Sequence, residues 1–303
     1  MLSSEQDTIA NWLQSLQDHI CQELETADGG GTFHEDIWQR PGGGGGRTRV
    51  LLGQHIEKGG VNFSAVYGAI TKRMRHSLQL EGAHFFATGV SVVLHPTNPM
   101  TPIIHMNIRY FELDTGIWWL GGGIDLTPHY INVEDACFFH QQLKAVCDRH
   151  DADYYPKFKT WADDYFYLRH RQETRGIGGI FVDRLGAQDG FSKAQRLAFW
   201  KEVGLAFCPI YVHLLQRNKN LPFGEREQRW QMLRRGRYVE FNLVWDAGTK
   251  FGLETDGRTE SILMSLPPVA YWQYDYQPEP NSPEAFTLAR LRKDINWLTD
   301  NEL

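Results

Sequence analysis

The sequence predicts an α+β fold: a single domain spanning residues 1–303, with a large, mostly antiparallel β-sheet flanked by α-helices on both faces. Strand-like segments occur early and late in the chain, and helical segments lie between them. The connections between the early strands are short, which favours antiparallel pairing. No internal repeat and no convincing linker divides the chain. We therefore expect one hydrophobic core, which a chain of 303 residues can bury without disulfide bonds.

The N-terminal segment predicts an amphipathic helix over residues 3–26, in which Ile9 and Leu13 begin a run of apolar residues at helical spacing. Glycine-rich runs follow at 29–31 and 42–46. The second run lacks the Gly-Lys-Ser/Thr ending of a phosphate-binding loop, and no buried strand precedes it. We interpret it as a mobile loop that is able to close over a ligand.

The next part of the chain predicts strands, because it is rich in β-branched and aromatic residues that short turn signals interrupt. These strands are expected at 61–67, 85–94, 103–111 and 117–120. Further along, the pattern predicts helices at 132–150, 154–170, 192–217, 225–235 and 283–298, and strands at 179–182, 237–245 and 261–266. Pro209 is expected to kink or divide the fourth of the chain's helices.

Composition limits the functions to consider. The net charge of −6 argues against nucleic acid as the main partner. The four cysteines have neither disulfide-framework nor zinc-knuckle spacing, which indicates free thiols in a reducing compartment. No signal peptide and no apolar stretch of about 18 residues is apparent. We therefore expect a cytoplasmic protein without a membrane span.

The predicted strand at 103–111 carries an unusual polar face. Alternation places His105, Asn107 and Arg109 on one face, and Ile104 and Met106 on the other. A buried, unpaired guanidinium would cost several kcal/mol, so a buried Arg109 should meet an anion. The alternative is a strand that faces solvent, on which these residues need no ligand.

Four histidines are candidate ligands of a divalent cation, since neutral imidazole is the commonest metal ligand. They are His95, His105, His140 and His170. No H-E-x-x-H or equivalent spacing connects them, so hydrogen-bonded core histidines are the alternative.

Two further features suggest ligand binding. Gly121, Gly122 and Gly123 would let the backbone approach a bulky planar ligand, and Asp125 would be displayed at the end of a strand. The alternative is a turn in which Asp125 bonds the local backbone. The arginines at 234, 235 and 237 form a candidate carboxylate-binding edge, or else a solvated face.

Several motifs, in one order, resemble those of the oxygen-dependent coproporphyrinogen III oxidase family. They are GVSVVLHP at 89–96, HMNIRYFE at 105–112, GGGIDLTP at 121–128 after Trp118 and Trp119, RGIGG at 175–179 after His170 and Arg171, and the run 233–268. The resemblance extends from about Ile9 to Trp297 and therefore covers nearly the whole chain.

The resemblance implies that the chain converts two propionate groups of coproporphyrinogen III to vinyl groups, with dioxygen as the oxidant and protoporphyrinogen IX, carbon dioxide and hydrogen peroxide as products. It implies no organic cofactor, a possible divalent cation, and a homodimer with residues 238–273 at its interface. Arguments remain for two other functions: a tetrapyrrole carrier without catalysis, and a histidine-ligated metal oxygenase with another substrate.

The resemblance also implies roles for individual residues. His105 matches the family's proton donor, Asp125 matches an aspartate at the pyrrole nitrogens, and Arg109 is expected to take part in catalysis. The matching substrate contacts are Ser91, Asn107, Ile108, Arg109, Asp256, Gly257 and Arg258. The matching metal ligands are His95, His105, His140 and His170. Asp256 stands where we expect a glycine, and its carboxylate would repel a propionate.

Overall fold

A computed structural model describes residues 2–78, 81–187, 190–254 and 257–299. Seven strands form one antiparallel sheet in the order β1-β2-β3-β4-β5-β6-β9. Each of the first five strands pairs with the next one along the chain, and β6 pairs with β9. All of these pairings are antiparallel, so the predicted antiparallel pairing is confirmed. The strands are β1 (His34–Gln39), β2 (Gly44–Leu51), β3 (Ile56–Ala69), β4 (His84–Pro96), β5 (Ile103–Leu113), β6 (Trp118–Thr127) and β9 (Gly179–Leu185), and a separate pair is formed by β7 (Tyr167–Leu168) and β8 (Glu173–Thr174).

The helices flank this sheet, as the α+β prediction requires. They are α1 (Ser4–Asp28), α2 (Lys72–Leu78), α3 (Val133–Asp148), α4 (Tyr154–Tyr165), α5 (Lys193–Asn218), α6 (Glu225–Glu240), α7 (Ala247–Glu254), α8 (Thr259–Leu263) and α9 (Pro283–Arg290), with a π-helical turn at Phe241–Trp245. Capping boxes begin the two longest helices: Ser3 and Ser192 each accept from the backbone N–H three residues on. Helix α5 continues past Pro209.

One face of the sheet packs against α1 and α5 and forms the main core. Ile104, Met106 and Ile108 of β5 belong to this core, and the predicted alternation along β5 is confirmed. Gly204 of α5 lies where a Cβ atom would come within 2.8 Å of Leu16 and 3.0 Å of Ile108. The missing side chain lets α5 approach both α1 and the sheet.

The opposite face carries polar side chains in its middle and small apolar clusters towards the strand ends. The C-terminal half of the chain covers part of it. In α8, the Ser261 hydroxyl lies 2.7 Å from the Thr48 hydroxyl, and the Asn62 amide donates to the Ser261 carbonyl. Met264 packs on the backbone of Gly60. The cover leaves Ser91, His105, Asn107 and Arg109 partly accessible in the middle of this face. We call this accessible region the cleft, and its floor is made by β4, β5 and β6.

Three predicted elements are wrong. Residues 237–245 continue α6 and its π-helical turn, and 261–266 overlap α8, where strands were predicted. The run at 42–46 is not a free loop, because Gly44, Gly45 and Gly46 lie in β2. Gly44 has φ +79°, and a Cβ atom there would lie 2.2 Å from the Ala65 carbonyl oxygen. These glycines allow tight strand pairing.

The glycines at 121–123 likewise continue β6 and do not form a turn. The helices predicted at 132–150, 192–217 and 225–235 are present. The helix predicted at 154–170 ends at Tyr165 and is followed by β7, and the helix predicted at 283–298 ends at Arg290. All four cysteines have free thiols. Among the described residues, no helix combines the length and the apolar character needed to cross a bilayer.

Candidate active site

The floor of the cleft is a set of side chains that strand pairing places side by side. In β5, Asn107 pairs with Ser91 of β4, and His105 pairs with Asp125 of β6. Directly paired residues of antiparallel strands point to the same face. The sheet therefore brings together four of the predicted site residues that are separated in sequence.

Arg109 lies next to this group on the same face and is exposed. Its two neighbours across the sheet are Gly89 and Gly121. A Cβ atom at Gly89 would lie 3.1 Å from Cγ of Arg109, and one at Gly121 would lie 3.6 Å from its Nη2. The glycines thus leave space on both sides of the guanidinium.

His105 and Asp125 form a hydrogen-bonded pair that differs strongly in exposure. Nδ1 of His105 lies 2.8 Å from Oδ1 of Asp125, and the side chains are 20% and 2% exposed. An ionised carboxylate only accepts hydrogen bonds, so Nδ1 carries the proton. No described residue bonds Nε2 of His105. The imidazole therefore faces the cleft, and the carboxylate lies behind it.

Arg175 binds the carboxylate of Asp125 on the side away from the cleft. Its Nη2 lies 2.6 Å from Oδ1 and 2.7 Å from Oδ2 of Asp125, and its Nε lies 3.2 Å from Oδ2. Nη1 donates to Oδ1 of Asn242 at 2.9 Å. The guanidinium is buried and packs against three aromatic rings at 4.4–4.8 Å: Phe166, Tyr238 and Phe241.

These contacts keep Asp125 ionised despite its burial. Burial alone would raise the pKa of Asp125, but Arg175 and then His105 lower it, and the net pKa lies below the ordinary value of 3.8. The result is a buried negative charge that two cationic or donor groups share. Such a charge holds His105 in one tautomer, with the lone pair of Nε2 directed away from Asp125.

Arg175, Asn242 and Asp246 are site residues that the sequence did not identify. Asp246 follows the π-helical turn and accepts from the Tyr165 hydroxyl at 2.8 Å and from the Thr249 backbone N–H at 2.7 Å. Burial would raise the pKa of Asp246, but these hydrogen bonds lower it below its usual value. The sequence feature that could have identified Arg175 is its position directly before the glycine motif at 176–179. No sequence feature pointed to the π-helical turn that carries Asn242 and precedes Asp246.

The predicted substrate contacts are only partly brought together. Ser91 and Asn107 lie on the floor of the cleft, and Oδ1 of Asn107 is buried without a hydrogen-bond partner among the described residues. Arg258 lies at the start of α8 and forms an ion pair with Asp36. Asp36, Thr48 and Asn62 extend the row of Ser91 and Asn107 towards β1, so Arg258 lies at the far end of one polar row.

The other predicted substrate contacts are Ile108, Gly257 and Asp256. The side chain of Ile108 points to the opposite face and is buried in the main core, so only its backbone is left to contact a ligand on the floor. Gly257 packs against the carbonyl of Gly252 and the side chain of Ile262, away from the floor. Asp256 lies outside the described residues.

The arginines at 234, 235 and 237 do not form an open carboxylate-binding edge. They lie on α6 and are engaged with carboxylates of the chain itself: Arg234 with Glu173, Arg235 with Glu57, and Arg237 with Glu240. Arg235 is fully buried. The predicted strand would have presented these guanidinium groups to a ligand, whereas the helix turns them inward.

The four predicted metal ligands do not fit one metal centre. Nε2 of His140 faces the Ile177 carbonyl and its Nδ1 lies 2.9 Å from the Tyr155 hydroxyl. His170 bonds Glu240 through Nε2 and accepts from Trp245 at Nδ1. Both imidazoles therefore have no uncommitted nitrogen. In the described parts of the chain, no three His, Cys, Asp or Glu side chains group closely enough to hold an ion.

The sequence was also compared with models of protein families. A family model described as Coproporphyrinogen III oxidase matches residues 8–297 of the 303 residues. The matched region includes every residue of the cleft described above.

Proposed function

Since the chain belongs to the coproporphyrinogen III oxidase family, an oxidoreductase family of porphyrin biosynthesis, we propose that it uses dioxygen to convert two propionate groups of coproporphyrinogen III to vinyl groups. For each propionate, a C–H bond and the bond to the carboxylate break, and a C=C bond forms. The two electrons reduce dioxygen to hydrogen peroxide. One proton is taken up for each carbon dioxide released. We propose that the protein supplies no organic cofactor to this reaction.

The observation that carries the proposal is the arrangement of His105, Asp125 and Arg175. His105 is the member that faces the cleft, and the other two are buried behind it. With Nδ1–H held by Asp125, the lone pair of Nε2 is available to accept a pyrrole N–H proton. Removal of that proton makes the pyrrole ring electron-rich, which favours its reaction with dioxygen.

Asp125 then acts through His105. Because its carboxylate is buried and bound by Arg175, it stabilises the imidazolium that forms when His105 accepts the proton. The imidazolium can return the same proton to the peroxide, and decarboxylation follows. His105 is the catalytic residue in this proposal, and Asp125 and Arg175 are positioning residues.

The substrate's carboxylates require focused positive charge, because the chain as a whole carries −6. Arg109 is exposed on the floor of the cleft and is suited to a bidentate contact with one propionate. Ser91 and Asn107 offer hydrogen-bonding groups beside it. The orphaned Oδ1 of Asn107 is an acceptor that a pyrrole N–H would satisfy.

The test is turnover of coproporphyrinogen III by dialysed, metal-stripped protein under air and under nitrogen, with products separated by chromatography. We expect protoporphyrinogen IX only in air. Asp125→Asn should lower kcat by about two to four orders of magnitude, because the amide holds the wrong tautomer of His105. Asp148→Asn, at an exposed pair with Lys144, is the matched control and should leave turnover unchanged.

Other results would support other functions. Tight binding of coproporphyrinogen III without turnover in air would favour the tetrapyrrole carrier. Turnover that appears only after a divalent ion is restored would show that the reaction requires a metal. Neither binding nor turnover of coproporphyrinogen III under any condition would favour the metal oxygenase with another substrate. Equal turnover by wild type and Asp125→Asn would contradict the proposed role of the buried carboxylate.

We also propose that the chain is a homodimer with its interface at residues 238–273. Six large apolar side chains of this segment are exposed: Leu243, Val244, Leu253, Val269, Tyr271 and Trp272. Exposed apolar groups concentrated in one segment commonly mark a protein interface. The four free thiols support a reducing compartment, and we propose the cytoplasm.

A further inference from the structure

A second cluster of buried polar groups lies behind the cleft, between the ends of β4 and β6 and helix α6. It contains His95 and His129, which are both completely buried. The loop after β4 joins them: Nδ1 of His129 lies 3.2 Å from the Pro99 carbonyl, and Arg235 donates to the Pro96 carbonyl at 3.0 Å. Trp230 of α6 donates to the carbonyl of His129. The cluster therefore links three elements that support the site.

Each imidazole has one bonded and one orphaned nitrogen. Nε2 of His95 lies 2.8 Å from the Ser265 carbonyl, whereas its Nδ1 has no partner. In His129 the roles are reversed: Nδ1 faces the Pro99 carbonyl, and Nε2 has no partner. All of these atoms belong to the described part of the chain. Orphaned buried polar atoms are rare in folded proteins, because an unsatisfied donor or acceptor loses its hydrogen bonds to water without replacement.

The partners fix the tautomer of both rings. A carbonyl oxygen only accepts, so the proton is on Nε2 of His95 and on Nδ1 of His129. Burial, with a contribution from Arg235, lowers the pKa of His95 to about 3 and lowers that of His129 well below its ordinary value. Both rings are therefore neutral, and both orphaned nitrogens carry a lone pair. The unsatisfied groups are two acceptors.

The same cluster contains an orphaned donor. Nε of Arg235 is buried without a hydrogen-bond partner, although its Nη2 bonds Glu57 and Pro96. Two acceptors and one donor match the hydrogen-bonding capacity of a water molecule, which donates twice and accepts through its oxygen. A metal ion would satisfy the imidazoles but would be repelled by the guanidinium and would leave Nε–H unpaired.

We propose that His95, His129 and Arg235 bind a buried, ordered water molecule, and that His95 belongs to this water site and not to a metal centre. The water donates to Nδ1 of His95 and Nε2 of His129 and accepts from Nε–H of Arg235. It connects β4, the segment after β6 and helix α6. The ring of Tyr238, also on α6, lies 5.2 Å from the ring of His95 and packs against Arg175. The water site thus lies next to Tyr238, whose ring helps to hold Arg175 in place.

The water site does not depend on the proposed reaction, and it can be tested without measuring enzyme activity. The first measurement is a high-resolution crystal structure of the full chain, grown with and without Mn²⁺ and Zn²⁺. We expect a light-atom peak about 2.7–3.2 Å from both nitrogens and no anomalous signal. A metal peak about 2.0–2.2 Å from the imidazole nitrogens would overturn the proposal, as would an absence of density between the two rings.

The second measurement is ¹⁵N NMR of the histidine rings in the wild-type chain. We expect Nε2–H in His95 and Nδ1–H in His129, with both rings neutral from about pH 5.5 to 8. The opposite tautomer in either ring would remove an acceptor and contradict the water site. Because this measurement needs no variant, it tests the tautomers that the water site requires even if a substitution prevents folding.

The third measurement counts long-lived internal water by ¹⁷O magnetic relaxation dispersion. His129→Phe should lose one such water, whereas His213→Phe, at an exposed ring that contacts Phe138, should lose none. Metal content after dialysis against Mn²⁺ or Zn²⁺ should be the same in both variants and in wild type. An ion that is stoichiometric in wild type and lost in His129→Phe would identify a metal site instead.

Discussion

At the residue scale, the cleft depends on one carboxylate that water cannot reach. Asp125 is ionised, buried and held by a guanidinium that is itself buried. Two buried ions stabilise a fold only while both are present, because each compensates the desolvation of the other. A change that removes either charge of the Asp125–Arg175 pair should therefore affect both the stability of the fold and the charge of the site.

Arg175→Met should destabilise the protein by about 3–5 kcal/mol, because it leaves the Asp125 charge buried without its cation. Urea unfolding measures this loss. Arg171→Met is the control, since Arg171 pairs with Glu240 at a partly exposed position and should cost about 1 kcal/mol or less. The double variant Asp125→Asn/Arg175→Met should recover much of the stability. A double variant less stable than Arg175→Met alone would contradict this explanation.

A second buried carboxylate has a structural role far from the cleft. Asp28 accepts from the backbone N–H groups of Gln54, His55 and Ile56 at 2.7–2.9 Å and also from that of Gly31. Burial would raise the pKa of Asp28, but these hydrogen bonds lower it below 3.8. The folded state therefore binds this proton more weakly than the unfolded state does.

Asp28→Asn should lower the free energy of unfolding at pH 7 by about 3 kcal/mol, because the amide cannot accept at both positions. The contribution of the carboxylate is complete above pH 3.8 and is lost as the pH falls through the lower, folded pKa. The difference from wild type should therefore shrink in acid. Urea titrations at several pH values measure it, with the exposed Asp7→Asn as control. A difference that grows in acid would contradict the prediction.

The sequence predicted the residues of β5 that lie on the floor, because strand alternation depends on local geometry alone. Asp125 of β6 was identified from its place after the glycine run and from the family resemblance, and not from alternation. The sequence did not predict that Asp125 would be buried, because burial depends on Arg175, which is 50 residues further along the chain. It also grouped His95 with three other histidines. Only the tertiary contacts show that His140 and His170 have both ring nitrogens bonded.

At the element scale, β6 is shaped by glycine. Gly122 has φ +123°, and a Cβ atom there would lie 2.0 Å from the carbonyl oxygen of Asn107. The strand therefore runs closer to β5 than a side chain would allow, at the point where Asn107 and Arg109 face the cleft.

Gly122→Ala should destabilise the fold by at least about 3 kcal/mol, because it combines an unfavourable φ with a backbone clash. Gly116→Ala provides the comparison, since Gly116 also has a positive φ (+82°) but no atom within 4 Å of the added Cβ. That variant should cost only about 1 kcal/mol. Thermal unfolding measures both, and equal losses would show that the clash is unimportant.

The π-helical turn illustrates an element that local pattern could not predict. Residues 237–245 contain aromatic and β-branched side chains that are typical of a strand, yet they form the end of α6 and the π turn. The buried contacts of Tyr238 and Phe241 with Arg175 are made from the helix. Tertiary packing therefore outweighed strand propensity in this segment, and the turn places Asn242 against Arg175.

At the scale of the whole molecule, the exposed apolar side chains of residues 238–273 suggest self-association. Val244→Glu should convert the proposed dimer to a monomer, because a charge would have to be buried at the interface. Sedimentation equilibrium measures the change. Leu221→Glu is the control, since Leu221 is similarly exposed but lies outside that segment. A wild-type chain that sediments as a monomer at all concentrations would remove the interface.

During synthesis, the strand order allows most of the sheet to form before the residues that complete the site have been made. Strand β6 ends at Thr127, and each of β2 to β6 pairs with the strand before it, so most of the sheet can form from the first half of the chain. Arg175, Asn242 and α6 leave the ribosome later. Until then, Asp125 has no guanidinium to balance its charge. We therefore expect the nascent sheet to stay hydrated on its polar face, and completion of the site to mark the end of folding.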